Sequence, residues 1–249
     1  MTALTSYLPE IFSYTDRSEL GKHAGWHAAE SLRAVLRSKD QARLMLAAAP
    51  SQESTLQTLA KEPGIDWGRI TCFHMDDYVA LDPDATQGFG NWLQGTFFDQ
   101  LPRTTFHRIE PSGSPAEAAQ RYGELIGEKP FDLVLLGLGV NGHLAFNDPP
   151  ANLSDPQPTR IVALDRISRQ QQVDEGHFDS IGAVPEQAIT VTIPRLLNTA
   201  ELIVSVPGRA KRQAVADTLT LPIGGDHPGT ALRTHPHVTL YLDAGSDPR

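Results

Sequence analysis

Phe131-Asp-Leu-Val-Leu-Leu136 is the most apolar short run of the chain, and it stops at once on Gly137. Similar runs recur at Arg43 to Ala49, Ile70 to Phe73, Arg160 to Leu164, Ala188 to Ile193, Leu202 to Val206 and Val238 to Leu242. A strand that is apolar throughout, rather than at every second residue, must be covered on both faces, which is the condition of a parallel sheet packed between helices. Between Glu19 and Leu36 the residues Leu20, Ala24, Ala28, Leu32, Val35 and Leu36 return at helical spacing. Helices are also expected from Ser51 or Ser54 to Lys61, over Asn91 to Gln100, over Pro115 to Ile126 and over Arg209 to Leu219. The alternation predicts a three-layer α/β/α fold, a largely parallel sheet with helices on both faces, formed as one domain over residues 1–249. In such a sheet, functional groups belong on loops beyond the carboxyl ends of the strands.

Charge and cysteine content narrow the function classes. Lys plus Arg number 21 against 30 Asp plus Glu, a net charge of −9, which repels a nucleic-acid backbone or an anionic membrane. The single cysteine, Cys72, lies within an expected strand, so it reads as a buried, inert thiol, and neither an internal disulfide nor a multi-cysteine zinc site is available. Met1 to Phe12 lacks the basic segment and apolar run of a secretory leader, and no stretch reaches the roughly 20 apolar residues of a membrane span. A reducing, cytoplasmic location is the simplest reading. Trp26, Trp67 and Trp92 are scattered and expected to pack on the core, and His235-Pro-His237 reads as ordinary loop histidines.

Three strand ends carry chemistry. After the strongest strand, Gly137-Leu-Gly-Val-Asn-Gly142 matches G-x-G-x-x-G, and Asp165 lies downstream where a dinucleotide-binding chain keeps its ribose acid. That reading needs a helix from the last glycine, whereas Pro149-Pro150 follow too soon for more than about one and a half turns of 3.6 residues. What remains is a glycine turn where backbone can approach a small ligand, presenting Asn141, His143 and Asp148. An acid five positions from a histidine can fix its tautomer for proton transfer, although such pairs are also common in surface turns. At a second strand end, Asp76 and Asp77 point to opposite sides if the chain stays extended, so one enters a cleft and the other anchors the turn. The third, Ala47 to Ser54, opens a helix and offers backbone N–H groups to an anion, but it lacks glycine, and Pro50 removes a donor while Glu53 adds a negative charge.

Together and in this order, these segments resemble the glucosamine-6-phosphate deaminase family, which is grouped with sugar-phosphate isomerases and 6-phosphogluconolactonases and has a Rossmann-like sheet. Phe73-His-Met-Asp-Asp-Tyr-Val-Ala-Leu81 is similar to F-N-M-D-E-Y-x-G-L, and Gly137 to Pro149 is similar to G-x-G-x-[ND]-G-H-I-[AG]-F-N-E-P. Ala188-Ile-Thr-Val-Thr-Ile, Leu196-Leu and Gly208-Arg-Ala-Lys211 resemble A-L-T-[VM]-G, an apolar pair and G-x-x-K. The resemblance implies isomerisation of an amino-sugar phosphate with loss of ammonia, without a cofactor or a metal. It casts Asp76 as the group moving a proton between C2 and C1, and His143 as the group opening the pyranose ring, oriented by Asn141 and Asp148. Ala49, Ser51, Gln52, Glu53, Ser54, Gly139, Gly142 and Lys211 would then bind substrate and its phosphate.

Departures from the pattern cluster at the anion site. Asp148 replaces the usual Glu, and Ala48-Ala-Pro-Ser-Gln52 replaces T-G-G-T-P. No cation stands near Asp174-Glu-Gly176, where the family carries a basic residue, and Arg169 is the nearest upstream. Lactone hydrolysis is the rival activity, suggested by Thr190-Val-Thr-Ile-Pro194, and a non-catalytic sugar-phosphate sensor is a third reading that Asp76 and His143 argue against. Some family members are activated by an acetylated amino-sugar phosphate at a basic subunit interface. Arg160-Ile-Val-Ala-Leu-Asp165 offers one cation there, so hyperbolic kinetics are expected, and a homo-oligomer is compatible with the sequence.

Overall fold

The computed structural model describes residues 5–110 and 113–249, so the first four residues of the Met1 to Phe12 segment lie outside the described residues. Among the described residues ten strands are present: β1 (Glu10–Tyr14), β2 (Ala42–Leu46), β3 (Ile70–His74), β4 (Asp76–Tyr78), β5 (Thr105–His107), β6 (Leu133–Leu136), β7 (Thr159–Ala163), β8 (Gln187–Val191), β9 (Leu202–Val206) and β10 (Val238–Asp243). The α-helices are α1 (Arg17–Ser38), α2 (Glu53–Lys61), α3 (Phe89–Thr96), α4 (Pro115–Ile126), α5 (Arg166–Asp174), α6 (Ile193–Leu197) and α7 (Arg212–Thr220).

Seven strands form a fully parallel sheet in the order β1-β10-β9-β6-β2-β3-β5. Side-chain alternation along its central strands builds the three layers. Leu44 and Leu46 of β2 and Leu133 and Leu135 of β6 join Leu20, Ala24, Leu56 and Leu59 of α1 and α2 on one face. Met45, Val134 and Leu136 join Ala118, Tyr122 and Ile126 of α4 and Val215 of α7 on the other. Both faces of each strand are thus dry, which is why these segments read as continuous apolar runs. Each such leucine or isoleucine contributes about 1.5–3 kcal/mol when fully buried.

From β2 the chain order runs outward through β3 to β5, whereas β6, β9 and β10 lie on the other side. The order reverses between β2 and β6, and the crevice beyond their carboxyl ends is where an open α/β sheet binds its ligand.

Three strands depart from the expected single sheet. After β3 the chain turns at the buried Met75, and β4 leaves the main sheet to pair antiparallel with β8, which pairs antiparallel with β7. Asp76 lies opposite Thr190 and Tyr78 opposite Ala188. This small sheet stands over the carboxyl ends of the larger one. β7 is accordingly less buried than the central strands, with Arg160 and Ala163 exposed.

Two smaller expectations change. Trp26 is 55% exposed, because the buried stripe of α1 runs through Leu20, Ala24, Ala28 and Leu32 and leaves position 26 on the outer face. Trp67 is buried and Trp92 packs on the core as expected. The helices expected over Asn91 to Gln100 and Arg209 to Leu219 are each divided, with 3₁₀ turns at Phe98–Gln100 and Arg209–Lys211. No helix of the described residues is long and apolar enough to cross a membrane.

Candidate active site

A cleft lies at the reversal point, lined by Ala49, Ser51 and Gln52 after β2, Asp76 of β4, Gly139 and His143 after β6, and Lys211 after β9. Segments far apart in sequence converge there because the carboxyl ends of neighbouring parallel strands all point the same way.

The turn after β6 is held by its own backbone. Gly139 N–H donates to the His143 carbonyl at 3.0 Å, Gly142 N–H donates to the Gly139 carbonyl at 3.0 Å, and Gly142 sits at φ +83°. A side chain at position 139 is excluded, since its Cβ would stand 2.4 Å from atoms of the His143 ring. Thr190 Oγ1 accepts from Phe146 N–H at 3.1 Å, and Asn147 Nδ2 donates to the Val191 carbonyl at 2.9 Å, pinning the loop to β8. No helix follows Gly142, so the dinucleotide alternative lacks its required element.

His143 is 8% exposed and held on one side. Its Nδ1 lies 3.0 Å from Asp148 Oδ1 and 3.1 Å from Ser168 Oγ. With the proton on Nδ1 directed at the carboxylate, Nε2 is left to accept a proton from substrate. Asn141 serves both partners: its Oδ1 accepts from His143 N–H at 3.1 Å and its Nδ2 donates to Asp148 Oδ1 at 3.0 Å. Burial works to raise the Asp148 carboxyl, but the hydrogen bond and charge of His143, with Asn141 and the Asp165 N–H, outweigh it and hold the carboxyl below the usual range.

Asp76 is 5% exposed and faces the cleft, while Asp77 lines a separate cavity across β4. Asp77 accepts from Phe89 N–H and Gly90 N–H, each at 2.9 Å, and so caps the first turn of α3. The two adjacent aspartates therefore do different work, as the extended strand predicts. Burial first, then the charges of Asp77 and Asp148, push the Asp76 carboxyl well above the usual range, with the Phe146 N–H opposing. The neighbouring His74 is fully buried, its Nε2 accepts from Ile109 N–H at 2.8 Å, and burial pushes its pKa down to about 3, so it stays neutral and structural.

At the other end of the cleft the anion loop differs from expectation. Ala49, Ser51 and Gln52 line the cleft, but Glu53 is exposed and accepts from Gln57 Nε2, while Ser54 Oγ donates to the Arg17 carbonyl of α1. A 3₁₀ turn at Pro50–Gln52 uses the backbone donors: Gln52 N–H bonds the Ala49 carbonyl, and Glu53 N–H bonds the Pro50 carbonyl. Asn141, Gly142 and Asp148 stand behind His143 rather than on the cleft wall. Lys211 does reach the cleft and is 6% exposed, with burial lowering its pKa against the pull of Glu175.

The resemblance places a helix between β7 and β8, but the sequence reading assigns no site role to the inward face of α5. Asp165 caps it, accepting from Ser168 N–H at 2.6 Å, and its buried residues, Ser168, Gln171 and Gln172, are all polar. Gln171, Gln172 and Glu175 line the cleft, and Tyr78 OH donates to Gln172 Oε1 at 2.9 Å. A helix whose inward stripe is polar is the available signal. Arg169 does not replace the family's cation, because it donates to the Ile181 and Val184 carbonyls away from the cleft. Cys72 is buried and burial raises its thiol pKa, in keeping with an inert role. His235 contacts the Thr199 carbonyl and accepts from His237 N–H, and no group of three or more His, Cys, Asp or Glu among the described residues is placed to hold a metal.

A parallel α/β sheet with an acid–histidine pair and a second carboxylate at its reversal point is the arrangement that the resemblance to sugar-phosphate isomerases and lactonases implies. The sequence profile of the glucosamine-6-phosphate isomerases/6-phosphogluconolactonase family matches residues 15–240, and the chain belongs to that family. It is 33% identical over 184 residues to a glucosamine-6-phosphate deaminase of Streptococcus pneumoniae, covering 74% of this chain and 77% of the relative. A glucosamine-6-phosphate deaminase of Arthrobacter is 31% identical over 229 residues, covering 89% and 86%. Among solved structures, a monomeric glucosamine-6-phosphate deaminase superposes with a TM-score of 0.87 at 25% identity, over 95% of this chain and 98% of that one. A 6-phosphogluconolactonase from Shewanella baltica shares the fold, with a TM-score of 0.80 at 18% identity over 95% and 98% of the two chains. The chain is an enzyme of carbohydrate metabolism by this membership.

Proposed function

We propose that the cleft isomerises a 2-amino-2-deoxyaldose phosphate of the glucosamine 6-phosphate type to the ketose phosphate and releases ammonia. The observation that carries this reading is the division of labour in one cleft: His143 is backed by Asp148 and Asn141, whereas Asp76 is raised by burial and by the charges of Asp77 and Asp148. His143 Nε2 takes the C1 hydroxyl proton of the pyranose and passes it to the ring oxygen as the bond from C1 to that oxygen breaks, giving the open aldehyde. That carbonyl acidifies the C2 hydrogen, so a carboxylate suffices to remove it. Asp76 takes the C2 proton while the carbonyl oxygen takes one from the substrate's ammonium group, leaving an enolamine, and Asp76 returns a proton to C1. The product is a ketimine, which adds water at C2 and expels ammonia. A raised carboxyl suits this cycle, because Asp76 must hold a proton after taking it from carbon.

Hydrolysis of a lactone needs no proton shuttled between two carbons, so it leaves Asp76 without a task. Ammonia release from glucosamine 6-phosphate, measured beside hydrolysis of 6-phosphogluconolactone, tests the reading. Stoichiometric ammonia and fructose 6-phosphate support it; lactone hydrolysis without ammonia overturns it.

A further inference from the structure

Lys211 Nζ lies 3.2 Å from Glu175 Oε1, and the two side chains are 8% and 18% exposed. Gln171 Nε2 donates to the same oxygen at 2.8 Å, while Gln171 Oε1 accepts from Val140 N–H at 2.9 Å. Glu175 is thus fixed by two donors, one of them braced against the glycine turn that carries His143. Lys211 is the one cation lining the cleft among the described residues, and the lining carboxylates are Asp76 and Glu175. The far end of the cleft therefore carries no net positive charge.

Two backbone donors beside the cleft do not offset this. Those of Gln52 and Glu53 are spent in the 3₁₀ turn, and the Gln52 amide donates to the Ser205 carbonyl at 3.0 Å. A phosphate brought to Lys211 meets a carboxylate already bonded to the same ammonium, and two like charges sharing one counter-ion repel strongly where water is excluded. A neutral hydroxymethyl group meets the opposite situation, with Glu175 as acceptor and Lys211 as donor and the ion pair left intact. A free amino sugar also enters as a monocation, which suits a cleft whose lining acids outnumber its cations.

We propose that Glu175 is a specificity-determining residue: it competes with the substrate's phosphate for Lys211, and so admits free 2-amino-2-deoxyhexoses beside their 6-phosphates. The proposal deepens the amino-sugar reading above and rests on it. Its test compares wild type, Glu175→Gln and Glu175→Ala in two ways. Calorimetry with inorganic phosphate reads the anion site without turnover, and kcat/KM for ammonia release from matched glucosamine and glucosamine 6-phosphate reads discrimination. Both variants are expected to bind inorganic phosphate roughly tenfold more tightly or better, equivalent to about 1.4 kcal/mol, and to raise the phosphorylated-to-free ratio by a similar factor. Unchanged or weaker phosphate binding in both variants, or a ratio that does not rise, overturns the proposal. The two readings fail separately. If wild type releases no ammonia from either sugar yet both variants tighten phosphate, the reaction is wrong and the competition at Lys211 stands. If wild type releases ammonia and neither variant alters phosphate binding, the reaction stands and the role of Glu175 is lost.

Discussion

Asp148→Asn changes one charge in the orienting network while keeping the side chain's shape. Asp148 Oδ1 accepts from His143 Nδ1 and Asn141 Nδ2, both at 3.0 Å, and Oδ2 accepts from Asp165 N–H at 3.3 Å. An amide has a single acceptor oxygen. Keeping that oxygen on His143 and Asn141 turns its NH₂ toward the Asp165 N–H, which gives up the longest of the three bonds and leaves the imidazole in place. What is lost is the negative charge opposite Nδ1. A hydrogen bond to a charged group contributes about 1.5–3 kcal/mol and a neutral one about 0.5–1.5, a difference of about 1–2 kcal/mol. If His143 gains a proton as the ring opens, that difference falls on the transition state and lowers kcat/KM by roughly 5- to 30-fold. The loss should appear in kcat, with KM for glucosamine 6-phosphate nearly unchanged and the near-ultraviolet circular dichroism of the folded protein retained. A variant with kcat/KM within twofold of wild type would falsify the claim that Asp148 supports His143.

Five further outcomes follow from the geometry. Asp76→Asn should lower turnover by at least ~10²-fold, the scale of a general base, while leaving ligand binding in place. Because burial and two neighbouring carboxylates raise Asp76, its ionisation opposes folding above the unfolded carboxyl value; Asp76→Asn should therefore raise Tm at neutral pH, and the gain should vanish once the pH falls below that value and both states are protonated. For the same reason the acid limb of wild-type kcat/KM should lie above the ordinary aspartate range, since turnover needs the carboxylate, and a limb at the usual aspartate value contradicts the assignment. Lys211→Ala should raise KM for glucosamine 6-phosphate by roughly 10- to 100-fold, about 1.4–2.7 kcal/mol, in steady-state assays. Rate curves should be hyperbolic and indifferent to the acetylated amino-sugar phosphate, because Arg160 is committed to Asp155 by paired hydrogen bonds; a sigmoidal curve relieved by that sugar contradicts this.

What the sequence makes legible is what lies close along the chain or repeats with a period. The central strands are visible because each is dry on both faces, and the His143–Asp148 pair because five residues of one loop carry both groups. The opposed roles of Asp76 and Asp77 follow from strand alternation alone. Contacts between distant segments are hidden. Glu175 and Lys211 are ordinary surface-type residues until α5 and the turn after β9 meet, and Ser168 reaches His143 only because Asp165 starts α5 beside the glycine turn. The anion loop was misjudged at Glu53 and Ser54 because a single 3₁₀ turn rotates both side chains out of the cleft and uses two of the expected backbone donors. The separate antiparallel sheet was likewise invisible, since β4 has only three residues and its pairing with β8 spans more than a hundred positions.

Running the reaction of glucosamine 6-phosphate in deuterium oxide tests the central claim most directly, because it follows the proton that Asp76 is proposed to carry. Ammonia release matched by fructose 6-phosphate bearing deuterium at C1, with the label and turnover both lost in Asp76→Asn, is the result predicted by a carboxylate that lifts the C2 proton and returns one to C1. Wild-type ammonia release with Asp76→Asn equally active, or sugar-lactone hydrolysis with no ammonia and no label at C1, would contradict it.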